Sequence, residues 1–357
     1  SLSQKQHKTL PGKVENILLE KKRSDGQLAT ASPLWLSLAV NLLMAIDQDD
    51  FEKMSRLEGR GDQQIETYLA LMATTFDSLP GPLFINLTEK AGEIFGKNFS
   101  EEVFDYIAIS RNGLREKDLE KLLPENTWDP LQFAGLRRWF KAHLVLQGEE
   151  LQWNLVHSIL KNAITDQINE KTLKLLHNSI SQYLTNLTSD PLKAAELMYH
   201  LVKSGNLRGA VEYFTGDMEF DEIEGATDSL TETISLEEKG LEIVCSFPDL
   251  LGINEKRKQV LVHRFIFELN YSLKRNNLLK ERLLFLEKIK NVAENIIENP
   301  DLDLDFMYDR MVLASNLGDS QEILGNNEEA LKHFIKSSEL AEELYRVHPM
   351  RQVMKFS

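Results

Sequence analysis

The sequence predicts a mainly α-helical chain with one small β-element. Apolar residues recur three and four apart through most of the 357 residues, the spacing of an amphipathic helix. Cap-plus-proline pairs at Ser32-Pro33, Asp129-Pro130 and Asp190-Pro191 mark helix starts along the chain. Residues 144–153 alone read as a hairpin, turning at Gly148-Glu149-Glu150.

Residues 1–60 are expected to form a first helical domain. A helix over 11–22 is apolar at Val14, Ile17, Leu18 and Leu19, and Asp25-Gly26 turns the chain. Ser32 caps a second helix that starts at Pro33 and runs to 46. It is apolar on nearly all sides, so it should be buried. The charges of residues 47–50 end it, and Gly59-Arg60-Gly61-Asp62 marks a domain boundary.

Residues 61–168 form the second expected domain. A helix over 65–76 ends before Leu79-Pro80-Gly81-Pro82. The helix over 101–111 turns Val103, Phe104, Ile107 and Ala108 to one side, and Asn112-Gly113 stops it. The next helix, 114–123, presents Leu119, Leu122 and Leu123 and closes at Pro124. The third, capped by Asp129, carries Leu131, Ala134, Leu136, Phe140 and Leu144 inward. The hairpin and a helix from about His157 follow. Three helices, a hairpin and a helix make the order of a winged helix, a variant of the helix-turn-helix unit.

Residues 169–357 are expected to be a helical array. The helix over 169–187 has Leu173, Leu176, Ile180 and Leu184 on one stripe. Two helices then meet at a tight turn, 192–203 and 207–214, with Gly205 between them. The same pattern returns 120 residues later: Leu197, Gly205, Asn206, Ala210 and Phe214 align with Leu317, Gly325, Asn326, Ala330 and Phe334. A looser match at an offset of 48 joins Leu269 to Leu317 and Ala293 to Ala341. Small residues recur where helices approach, and aromatics fill the gaps between them. The pattern is that of an α-α superhelix of tetratricopeptide-like hairpins. Residues 216–242, with ten acids and one lysine, are expected to be a solvated acidic insertion. Asp217, Glu219 and Asp221 do not make a calcium loop, because Glu222 stands where the tight turn needs glycine.

The chain holds 41 basic and 56 acidic residues, a net charge of −15. That balance disfavours nucleic acid and anionic membrane as partners. The longest apolar run, 34–46, is too short to cross a bilayer. A single cysteine, Cys245, excludes an internal disulfide and fits a cytoplasmic setting. The chain begins at Ser1 rather than Met and reads as a fragment. No phosphate loop, zinc motif or nucleophile-plus-base pair is present, so no enzymatic constellation and no metal site are expected, Asp47 included. On the third helix of the winged-helix segment, Arg137, Arg138, Lys141 and His143 form a weak basic patch. The acidic wing, Glu149-Glu150, counts against DNA.

Several segments resemble the STAND NTPases, the NACHT and NB-ARC signalling ATPases. The stretch Ser32-Pro33-Leu34-Trp35-Leu36-Ser37-Leu38 resembles the proline–leucine helix start of their lid domain. Ser110-Arg111-Asn112-Gly113-Leu114 with Leu119, and Trp128 before Pro130, resemble the start of their winged helix, although Arg115 replaces the expected serine cap. Trp153-Asn154-Leu155-Val156-His157-Ser158 is similar to the segment holding their Met-His-Asp motif, with Ser158 in place of the aspartate. Residues 195–201 are similar to the opening of their helical repeats, and 313–349 to a tetratricopeptide repeat.

The resemblance implies a regulatory and sensing segment of a nucleotide-switched signalling protein. Pro33 would lie near an adenine and His157 would reach a β-phosphate, both only with a phosphate-loop core that this sequence lacks. It implies no cofactor for this chain alone, and ATP or ADP and oligomerisation for a longer parent. The repeats would bind a protein or peptide. The alternative is a winged-helix transcription regulator whose repeats sense a ligand. The two differ in whether the face around Arg137, Arg138 and Lys141 is open to solvent.

Overall fold

The computed structural model describes residues 11–45, 48–252, 254–296 and 304–347. Asp47 lies outside the described residues. The chain is mainly helical, with one two-stranded sheet among the described residues. It divides into two compact units, residues 1–173 and 174–357.

The first unit begins with α1 (Gly12–Glu20), α2 (Pro33–Met44), α3 (Gln48–Ser55) and α4 (Asp62–Thr75). Ser32 caps α2 by accepting from the Trp35 amide at 3.3 Å, and the Trp35 indole donates to the Asp77 carbonyl at 2.8 Å. Trp35 is fully buried, whereas Met44 at the far end of α2 is 78% exposed. The sequence places a domain boundary at 60/61, but the turn at 59–62 folds α4 back onto α1 and α2 within one unit. Nor does Asp50 simply mark a helix end. Asp50 is buried in α3, accepts from the Tyr68 hydroxyl at 2.5 Å and pairs with Lys90 at 3.1 Å. A buried carboxylate needs such partners, since an uncompensated one costs several kcal/mol, about 3–5.

Lys90 belongs to α5 (Pro80–Phe95), a helix beyond those expected from the sequence. The segment 79–82 reads as a terminator, yet Pro80 sits at the first helical position, where its missing N–H costs nothing. This helix is the centre of the unit and touches α2, α6 (Lys97–Ile109), α8 (Pro130–Trp139) and α9 (Ser158–Thr165). Its Phe84 meets Phe104 and Phe140 edge-on, with ring centroids 6.1 and 5.7 Å apart. Edge-to-face pairs of this kind add about 0.5–1.5 kcal/mol beyond area burial.

Between α6 and α8 lies α7 (Glu116–Leu122). Arg115, just before it, is buried and forks onto Asp118 at 2.7 Å and Glu150 at 3.0 Å. A cation thus ties the start of α7 to the hairpin of β1 (Leu144–Gln147) and β2 (Gln152–Leu155), in place of a serine cap. The strands pair antiparallel with Leu144 opposite Leu155, and Leu114 bridges to Trp153. On α8 the inward set differs from expectation. Leu131 is 83% exposed, and Phe133 takes the core position, because the first turn after the Asp129 cap faces solvent.

The second unit contains α10 (Glu170–Thr185), α11 (Pro191–Lys203), α12 (Leu207–Phe214) and α13 (Phe220–Leu236). Thus the acidic stretch 216–242 is not a loop. Asp221 and Glu224 are exposed on α13 and Glu222 pairs with Lys193 at 3.1 Å, while Ala226, Leu230 and Ile234 are buried at helical spacing. Gly225 lets α13 press on α11, since a Cβ there would lie 2.1 Å from the Ala194 carbonyl oxygen. Short helices α14 (Gly240–Cys245) and α15 (Phe247–Leu250) precede α16 (Glu255–Arg264), which runs through a π-helical turn (Phe265–Leu269) into α17 (Asn270–Arg275). Then come α18 (Leu279–Asn295), α19 (Leu304–Ile323) and α20 (Asn327–Val347). Phe214, Phe247 and Phe285 gather round Phe265 to form the core.

Three helical pairs turn alike. Gly205 joins α11 to α12 at φ +79°, and Gly325 joins α19 to α20 at φ +84°. Asn277, 48 residues before Gly325, joins α17 to α18 at φ +59°. Asparagine is one of the few side chains that visits the left-handed region readily. Among the described residues, no helix is long and apolar enough to cross a membrane.

Candidate partner-binding groove

The two residues expected to meet a nucleotide are both exposed. Pro33 is the first residue of α2, and His157 precedes α9 without a side-chain capping bond. They lie at different places. His157 is close enough to buried His143 for its charge to disfavour protonation there, and Asn41 Nδ2 donates to His143 Nε2 at 3.1 Å. Asn41 is eight residues after Pro33 on α2, about 12 Å along a helix axis. His143 titrates at about 4, held down first by burial and then by His157.

The basic patch is also reduced. His143 is buried rather than displayed. Arg137 stacks 5.1 Å from the ring centroids of both Phe133 and Trp153 and pairs with Glu116 at 3.4 Å. Only Arg138 and Lys141 of the four are exposed. A cleft of about 590 Å³ opens between α5, α6 and the chain after α9. Its walls carry Glu89, Glu93, Glu101 and Asp105 against Lys97. Asp105 titrates at about 6, raised by burial and then by Glu101 and Glu102. These walls repel phosphate, and neither Pro33 nor His157 lines them.

A second cleft, within the second unit, has the opposite sign. It is a groove of about 280 Å³ between α18, α19 and α20. The floor is apolar: Ala293 from α18, Leu313, Ala314 and Leu317 from α19, and Leu340 from α20. Close helix packing shapes it, because Gly318 lets the Phe334 ring approach to where a Cβ would be 2.6 Å away. Ser337 Oγ also donates to the Met311 carbonyl at 3.0 Å. The rim holds Lys290, Arg310, Lys332, His333 and Lys336 against Glu294 and Glu329. His333 titrates below its usual range, through burial first and then the Lys290 charge across the groove. Sequence patterning located the α19–α20 hairpin but not this rim. Lys332 and Lys336, one helical turn apart on α20, were the available signal.

Among the described residues no group of His, Cys, Asp and Glu side chains is arranged to hold a metal ion. No family model, curated protein or solved structure matches this chain.

Proposed function

We propose that this chain is a non-enzymatic regulatory and sensing segment, whose helical pairs bind a protein or peptide. Residues 61–168 are read as a winged-helix domain and residues 169–357 as a tetratricopeptide-like array. Their order supports a segment of a STAND-type, nucleotide-switched signalling protein. In that reading Pro33 and His157 meet nucleotide only beside a phosphate-loop core, which the sequence does not contain. An imidazole N–H next to a helix start is a suitable phosphate donor, and both residues are open to such a neighbour.

The observation that carries the reading is the turn repeated at Gly205, Asn277 and Gly325. Each turn makes a helical pair that cannot bury its own apolar face alone, and stacking such pairs leaves an elongated surface for ligands. The groove of α18–α20 is such a surface, apolar below and polar at the rim. The DNA-binding alternative keeps only Arg138 and Lys141 as exposed cations of this face, since Arg137 is occupied by Glu116 and two aromatic rings.

The test is selection of a random peptide library on the full chain, followed by hydrogen exchange of the complex. Enriched peptides should slow exchange in α18–α20. Enrichment of none, or protection confined to residues 11–165, would overturn the proposal.

A further inference from the structure

We infer that the groove of α18–α20 takes an extended, acidic peptide segment, its carboxylates on Lys332 and Lys336 and its apolar side chains on the Leu313–Leu317 floor. This rests on the repeat-array reading above and goes further by fixing the chemistry of the partner.

The first argument is spacing. Lys332 and Lys336 are four residues apart on α20, so their stems rise from points about 6 Å apart along the axis. In an extended chain, side chains two residues apart point the same way and are about 6.7 Å apart. A segment with carboxylates at alternate positions therefore matches both ammonium groups without coiling. Lys290 stands on the opposite wall, from α18. A peptide lying between the walls meets positive charge on both sides.

The second argument is that these lysines can change partners at small cost. Lys332 pairs with Glu329 at 2.5 Å, Lys336 with Glu339 at 3.5 Å, and Lys290 with Glu294 at 3.9 Å. All three are pairs within one helix, three or four residues apart, with exposed side chains. Such pairs are weak, because water screens both charges and two long side chains must be held in one geometry. A ligand carboxylate seated over an apolar floor is less screened and competes well with them.

The third argument is contrast. The chain as a whole carries −15, yet this rim has four lysine and arginine side chains against two glutamates. A long polyanion gains from the rim but is repelled by the rest of the surface, which disfavours nucleic acid. A short acidic segment meets only the rim. The volume, about 280 Å³, suits one or two apolar side chains rather than a folded domain.

The probe is a short fluorescein-labelled peptide of alternating Glu and Leu, titrated against the full chain by fluorescence anisotropy. It should bind, and weaken as salt rises. The Lys332→Gln/Lys336→Gln variant should lose about tenfold in affinity with an unchanged melting curve, while Arg208→Gln, on α12, should bind as the parent does. A peptide of alternating Gln and Leu should bind about tenfold more weakly to the parent. Equal binding of the Gln-Leu peptide would overturn the acidic assignment and leave the repeat-array reading standing. Failure of every peptide here, with library peptides that still protect α18–α20, would do the same. Tighter binding of single-stranded RNA at the same lysines would overturn it as well. Failure of both the probe and the library would remove both readings.

Discussion

The first and last helical pairs of the second unit share a turn and differ in what covers them. Gly205 and Gly325 take φ of +79° and +84°, and each is followed by asparagine. Leu197 and Leu317 are both buried, as are Ala210 and Ala330. The aromatic that follows parts company: Phe214 is fully buried, whereas Phe334 is 36% exposed. Phe214 lies 5.9 Å from the Phe265 ring, under the Arg264 guanidinium, which also donates to the Gly216 carbonyl at 3.0 Å. Phe334 leans on Gly318 of its own pair. The turn is therefore written in the residues beside it, while the worth of the aromatic depends on helices far along the chain.

Shortening each ring gives the largest expected difference. Phe214→Ala should cost about 3–5 kcal/mol through lost burial and the cavity left behind. Phe334→Ala should cost about 1 kcal/mol, since much of its ring already meets water. Urea unfolding followed by circular dichroism measures both, and equal losses would break the contrast.

Acid should separate the pairs next. Where the last pair has Ser320, donating to the Asn316 carbonyl at 2.8 Å, the first has His200. Its Nε2 faces Glu196 at 3.2 Å, and its Nδ1 faces Nδ1 of His177 at 2.8 Å. One proton fits between the rings; a second sets two N–H groups against each other. His177 titrates at about 3, held down by burial, then by His200 and Lys203. A histidine with a depressed folded value contributes stability that is fully present above the unfolded value, near 6.5. That stability is lost as pH falls from there towards 3, by about 1.4 kcal/mol per unit. Hydrogen exchange, corrected for its intrinsic pH dependence, should show α11 loosening below pH 6.5 before α19 does. Simultaneous loosening would count against the histidine pair.

The turns themselves should separate the two pairs least. Gly205→Val and Gly325→Val should each cost about 1–2 kcal/mol, because nothing crowds either position and only the backbone objects. Asn277→Gly should gain a few tenths, about 0.3 kcal/mol, at the turn between them. Thermal midpoints would show whether the three turns rank in this order.

What could be read from the sequence follows the same division. Ser32-Pro33, Asp129-Pro130 and Asp190-Pro191 all begin helices, because a cap and a proline at the first position act within four residues. The matched turns were legible for that reason. The helix α5 is hidden in the sequence because Pro80 and Pro82 look like terminators, although Leu83, Phe84, Leu87 and Ala91 behind them keep helical spacing. The helix α13 is hidden because its acids mask the helical spacing of Ala226, Leu230 and Ile234. Phe133 and Leu131 exchanged roles because an inward face is set by neighbouring helices as well as by period. The groove was not legible at all. Lys290 and Lys332 lie on separate helices, and only tertiary packing brings them to one rim.

The buried Arg282 has a consequence for how the far end of the array comes apart. Its guanidinium gives Nε to Asn270 at 2.7 Å and another N–H to Asp319 at 2.9 Å. A single cation on α18 thereby rivets α17 to α19. Peeling α19 away would strand that cation without its carboxylate in an interior that cannot solvate it, so these helices must let go as one body. Stacked helical arrays ordinarily fray from their ends one element at a time. Here one arginine fastens α17, α18 and α19 into a block that releases together, so two of the three helices around the groove share one fate.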